Sequence, residues 1–167
     1  MLINVDITLS EDGAVAMNGG GGGRTVASSV VMRSGRHFAS VTVVAGTDMF
    51  FGVIRPGWDV EAGASALVDG HCLIATADGT RCPGFSNWEG MQGAREQDDR
   101  IGMLLDLNQG SMIVWKNDVK LGVMQAEGLN GPFCWAAKTF ERSARIQSAP
   151  APPSPTEEER AAANEPM

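Results

Sequence analysis

The sequence lacks several features that define protein classes, and each absence argues against a kind of function. It has three cysteines at wide spacing, an odd number that favours a reducing compartment over a disulfide framework. No apolar run is long enough to span a bilayer. No basic stripe runs along this chain of net charge −7, so we expect neither membrane nor nucleic-acid binding. Acidic residues stand where a secretory signal needs a basic start, which predicts cytoplasmic or nuclear localisation.

Signatures of catalysis and of metal binding are also missing. The chain has no Cys-x-x-Cys pair, no His-x-His pair and no Gly-x-Ser-x-Gly elbow. Residues 106–110 imitate the start of a calcium loop, but Asn117 stands where the closing glutamate belongs. The glycine-rich stretch 18–25 has Arg24 in place of the lysine of a phosphate-binding loop. We therefore predict a protein that is not an enzyme and that needs no cofactor and no metal.

What the sequence does contain is a series of short apolar runs separated by Gly, Asp, Asn and Pro. With 21 glycines and no long helical pattern, this spacing predicts an all-β protein, a sandwich of antiparallel sheets. A length of 167 residues suits one domain with a real core. We place that domain at residues 2–147. Residues 148–167 are rich in Pro, Glu and Ala and are predicted to be a disordered tail.

Residues 99–117 are the most informative stretch of the chain. Ile101, Met103, Leu105 and Leu107 recur at period two, as on one face of a strand. Asn108-Gln109-Gly110 supplies turn chemistry, and residues 111–115 read as the returning strand. A second turn at Asn117-Asp118 leads to residues 119–123, which completes a predicted three-stranded meander.

The remaining strands are predicted from similar apolar or alternating runs. They lie at residues 2–9, 37–44, 50–54, 72–75, 133–140 and 144–147, and residues 26–32 are also β-rich. The five glycines at 19–23 predict a flexible loop, and residues 83–99 are polar and irregular.

The meander and its flanks resemble the SPRY domain, the core of B30.2 modules. The family pattern is a polar lead-in, Ile-Gly, a hydrophobic run with Asp, a Gly turn, an apolar strand, a further turn, Leu-Gly and a later Gly-Pro. It is carried here by Asp99-Arg100-Ile101-Gly102, Leu104-Leu105-Asp106-Leu107, Gly110, Ile113-Val114-Trp115, Leu121-Gly122 and Gly131-Pro132-Phe133. Asn117-Asp118 replaces the Asn-Gly of the family pattern. Upstream, residues 34–38 and 50–53 are similar to two further family strands.

The resemblance implies a bent, concanavalin-like sandwich that binds a protein or peptide through loops at one edge, as an adaptor and without catalysis. It also implies that such a module works within a larger signalling or ubiquitin-ligase assembly, although no RING-type Cys/His array accompanies this chain. A lectin-like sandwich that binds carbohydrate is the alternative, because jelly rolls share the architecture.

Candidate partner-binding residues follow from residue chemistry in the predicted loops. Tryptophan and arginine on a stiff turn are the residue types that carry most binding energy at interfaces. The candidates are Arg33, Arg36, Arg55, Trp58, Phe85, Asn87 and Trp88. The other interpretation of Trp58 and Trp88 is that they fold back over the sandwich, since Trp is usually well buried. Trp115 and Trp135 lie within predicted strands and are expected in the core.

Overall fold

The computed structural model describes residues 2–3, 7–10, 15–18, 24–27, 31–45, 49–57, 69–94, 96, 98–139 and 143–148. All regular structure within these residues is β-strand. None of the described residues form a helix long and apolar enough to cross a membrane. The strands are β1 (Leu2–Ile3), β2 (Ile7–Ser10), β3 (Val15–Asn18), β4 (Arg24–Ala27), β5 (Arg36–Ala45), β6 (Met49–Ile54), β7 (Cys72–Ala75), β8 (Arg81–Cys82), β9 (Arg100–Asp106), β10 (Ser111–Lys116), β11 (Val119–Gln125), β12 (Cys134–Thr139) and β13 (Ser143–Ser148).

The strands form two antiparallel sheets. One has six strands in the order β1-β4-β12-β6-β7-β8, and the other has seven in the order β11-β10-β9-β5-β13-β3-β2. The sheets exchange strands several times along the chain, so neighbours in a sheet are often distant in sequence. The predicted all-β sandwich of antiparallel sheets is confirmed.

The main core lies between the two sheets. It takes alternate residues from β5, β9 and β10 of one sheet and from β6, β7 and β12 of the other. Phe51 and Phe133 are fully buried there, and the ring of Trp135 stacks on Phe51 with centroids 5.7 Å apart. Trp135 is thus in the core, as predicted. A second apolar cluster lies on the other face of the six-stranded sheet and includes Phe50, Ile54 and Leu73.

The predicted meander is present as β9, β10 and β11. The first turn is held by Asp106, whose carboxylate oxygen accepts from the backbone N–H groups of Asn108 (2.9 Å) and Gln109 (3.1 Å). This carboxylate therefore serves turn chemistry, as the hairpin interpretation of residues 106–110 requires. At the second turn Asn117 and Asp118 both have positive φ, 50° and 67°, the conformation of a type I′ hairpin. Asp tolerates this conformation as Asn does, which accounts for Asp118 in place of the Gly of Asn-Gly.

One strand prediction is wrong. Residues 2–9 were expected to form a single strand, but β1 pairs with β4 in the six-stranded sheet while β2 pairs with β3 in the seven-stranded one. Alternation alone does not reveal such a change of sheet. The short strands β3 and β8 were not predicted. The glycine loop 19–23 and the tail from residue 149 lie outside the described residues, and β13 ends at Ser148.

Candidate functional site

Four loops meet at one end of the sandwich. They are residues 33–36, 55–57, 107–110 and 128–132, and we call them together the arginine end. These ranges contain three arginines and no carboxylate, in a chain whose net charge is −7. Asp106 and Glu127 lie directly outside them in sequence, and Asp106 pairs with Arg36 in the sheet.

Arg55 fastens two of these loops together. Its guanidinium donates to the carbonyl oxygens of Asn130 and of Pro132, the latter at 3.2 Å. The same group lies 4.3 Å from the centroid of the Phe133 ring, a cation–π contact. Because its Nη1 nitrogen donates to both carbonyls, Arg55 is a positioning residue for the loop that precedes β12.

The loop 33–36 is fixed by backbone pairing. Met32 and Phe133 exchange two hydrogen bonds of 2.8 and 3.0 Å, which anchors the loop at its start. Gly35 accepts from the N–H of Leu107 at 2.9 Å and donates to the Asn108 side-chain oxygen at 3.3 Å. Arg33 and Arg36 are exposed on this anchored backbone. Asn108 and Asn130, in the loops next to this one, are exposed as well.

The turn that carries Phe85 lies elsewhere. Arg81 and Ser86 pair through two hydrogen bonds of 2.9 Å and close a tight turn with a cis Cys82–Pro83 bond. Phe85 has a φ of +50° and exposes 56% of its surface. Its ring meets Phe50 edge to face, with centroids 6.1 Å apart.

The two predicted loops do not share one edge. Phe50 is near the start of β6 and Arg55 follows its end, so five residues of strand, about 16 Å, separate their positions. Phe85 therefore lies over the outer face of the six-stranded sheet, away from the arginine end. Asn87 is exposed in the same segment as Phe85.

Trp88 is folded into the protein. It exposes 9% of its surface, belongs to the main core, and donates its indole N–H to the Gly79 carbonyl at 2.7 Å. This is the second of the two interpretations considered for Trp88, and it removes the side chain from the candidate contact surface. Trp58 lies outside the described residues, so the Arg55 turn is seen only as far as Gly57.

Comparison with known proteins identifies the fold. No family model matches the sequence, and no curated protein matches it. Solved structures do match it, through their fold. The SPRY domain of human HERC1 superposes with a TM-score of 0.70 at 16% identity, over 85% of this chain and 92% of that one. A second human SPRY domain gives a TM-score of 0.59 at 13% identity, over 85% and 94%. The fold is that of a SPRY domain.

Within this SPRY fold the three thiols are buried and the Asp99 carboxylate is hydrogen-bonded. Burial raises the pKa of the Cys72 thiol from 9.0 to about 12, and burial also raises the pKa values of Cys82 and Cys134. Asp99 accepts from the Asn117 amide and from the Glu96 backbone, both at 3.0 Å. Among the described residues no group of His, Cys, Asp and Glu is arranged to hold a metal.

Sequence reasoning missed two features of the SPRY fold in this chain. The exposed amides Asn108 and Asn130 join the arginine end, although the Asn-Gln-Gly stretch was interpreted only as a turn. Trp115 was expected in the core, but it is partly exposed on the outer face of the seven-stranded sheet. Its sequence neighbour Val114 takes the core position instead, as strand alternation requires.

Proposed function

We propose that this SPRY fold is a protein-interaction module without catalytic activity, and that it binds a protein or peptide segment at the arginine end. The observation that carries the proposal is the pair of exposed guanidinium groups, Arg33 and Arg36, on a loop whose backbone is fixed by hydrogen bonds to two other loops. A fixed backbone lowers the entropy lost on binding, so more of the contact energy appears as affinity.

The chemistry of these loops favours a partner segment that bears carboxylates. Guanidinium forms bidentate, charge-assisted hydrogen bonds with carboxylate, and planar amides such as those of Asn108 and Asn130 pair with peptide backbone. The flanking carboxylates of Asp106 and Glu127 disfavour a uniformly acidic ligand. The preferred segment therefore has one or two acidic side chains among uncharged residues.

The cellular setting is part of the same proposal. The three cysteines are unpaired and buried, which supports a reducing compartment, the cytoplasm or the nucleus. Membership of a signalling or ubiquitin-ligase assembly remains a prediction that follows only from the resemblance.

A peptide-display selection on the full chain tests the binding site. We expect enrichment of segments with one or two Asp or Glu residues, and a loss of about tenfold or more in affinity for the Arg33→Ala/Arg36→Ala variant, because charged hydrogen bonds contribute about 1.5–3 kcal/mol. Lys120→Ala is the matched control, since Lys120 is exposed but belongs to β11. Equal affinity of the double variant and the wild type would overturn the proposal, as would enrichment of peptides without acidic residues.

A further inference from the structure

The seven-stranded sheet has an apolar outer face. Phe38 pairs with Leu104 and Ser40 with Gly102 across β5 and β9. On β10, Ile113 lies opposite Leu104 and Trp115 opposite Gly102. The residues between them in sequence, such as Ala39, Met103 and Val114, belong to the core between the sheets. We call the set Phe38, Gly102, Leu104, Ile113 and Trp115 the outer aromatic face.

Two rings dominate this face. Phe38 and Trp115 meet edge to face with centroids 5.7 Å apart, and both are partly exposed. The Phe38 ring lies over Gly102, where a Cβ atom would come within 2.7 Å of it. Leu104 and Ile113, beside the rings, expose 1% and 7% of their surface. The result is an aromatic surface that spans β5, β9 and β10, of the kind on which proline-rich segments dock.

Strand β13 is described as far as Ser148, next to the strand that carries Phe38. On β13, Gln147 pairs with Ser40 and Ser148 with Ala39, so the described strand ends one position short of the one opposite Phe38. Residues 149–155 are Ala-Pro-Ala-Pro-Pro-Ser-Pro, with four prolines. The distance from β13 to β10 is three strand spacings, about 14 Å. A polyproline II segment covers this distance in about five residues. The proline-rich sequence therefore has the length to reach Trp115.

Charge favours the same path. Three glutamates, Glu157, Glu158 and Glu159, follow the prolines in sequence. Beyond Trp115 the next strand is β11, where Lys120 pairs with Trp115 and is exposed. One further strand spacing, about 5 Å, separates Trp115 from this lysine, so the glutamates that follow the prolines can reach it. Asp118 is nearby, but it is paired with Arg100.

We propose that residues 149–159 bind the outer aromatic face of their own domain, with the prolines against Phe38 and Trp115 and the glutamates near Lys120. The segment is then an intramolecular ligand of the sheet's outer face, which meets the arginine end at Arg36. This inference does not depend on the function proposed for that end.

Paramagnetic relaxation on the full chain tests it. A nitroxide on Ala161→Cys is selective, because the three native thiols are buried. We expect strong broadening of the Trp115 indole N–H and of the Lys120 and Val123 amides. The broadening weakens in a Glu157→Gln/Glu158→Gln/Glu159→Gln background and at about 1 M salt, where the Debye length falls to about 3 Å.

Three controls make the outcome decisive. Lys120→Glu, a surface change that leaves the core intact, must reduce the broadening, whereas Arg33→Glu at the arginine end must not. Broadening confined to residues near Ser148, or spread evenly over the domain, overturns the proposal. Mixing labelled unenriched protein with unlabelled ¹⁵N protein identifies binding between molecules, and broadening in that mixture also contradicts an intramolecular ligand.

Discussion

Residues 55–57 and residues 82–85 both place a proline and a glycine beside a large side chain, yet one turn directs that side chain inward and the other outward. Arg55 reaches the carbonyls of Asn130 and Pro132 and the ring of Phe133. Phe85, at a φ of +50°, remains 56% exposed with a single edge-to-face ring contact to Phe50.

The difference lies in what surrounds each turn. Beside Arg55 is a loop, 128–132, whose backbone carbonyls need donors, so the guanidinium is retained within the protein. Beside Phe85 the nearby apolar positions, such as Leu73 and Cys82, are already buried. Turn composition therefore predicts that a turn forms, and the neighbouring strands decide whether its side chain is structural or available for binding.

The largest expected effect concerns Trp88, three residues beyond Phe85. Trp88→Ala should lower the free energy of unfolding by about 3–5 kcal/mol, because it empties a core site and leaves the Gly79 carbonyl without its indole donor. Urea denaturation measures this. Asn87→Ala, an exposed neighbour, is the control and should change stability by less than about 0.5 kcal/mol. Similar losses of stability for both variants would mean that Trp88 contributes no more to the core than the exposed Asn87.

The next effect tests the inward turn. Arg55→Ala should cost about 1–3 kcal/mol of stability, since it removes two charge-assisted hydrogen bonds and a cation–π contact. Arg33→Ala is the matched control at the same end and should lie within about 0.5 kcal/mol of the wild type. Thermal unfolding distinguishes the two. If Arg55→Ala is as stable as Arg33→Ala, Arg55 does not fasten the loops.

The fold could be predicted from the sequence because its strands carry local signals. In β9, alternating core residues such as Ile101 and Met103 and the turn residues 108–110 each specify structure within a few positions. The resemblance to SPRY domains rests on the same residues. The division of residues 2–9 between two sheets has no local signal, since β1 pairs with the more distant strand β4 while β2 pairs with the next strand, β3.

The candidate site was predicted less well, for a physical reason. Trp and Arg are large amphipathic side chains that suit a core edge or an interface equally, so residue type does not decide between them. Trp88 shows the first outcome, whereas Arg33 is exposed. Only the pairing of strands shows that Phe38 and Trp115 share an outer face, because they are 77 positions apart.

The smallest effect tests what holds Phe85 outward. At ordinary strand or helix positions Gly is less stable than Ala by about 0.5–1 kcal/mol, but at positive φ the order reverses because Gly has no Cβ. Phe85→Gly should therefore be more stable than Phe85→Ala by about 1 kcal/mol, although both lose the contact with Phe50. Chemical denaturation of the two variants side by side measures the difference. If Phe85→Ala is the more stable, the backbone relaxes to negative φ, and the turn itself does not fix the direction of the ring.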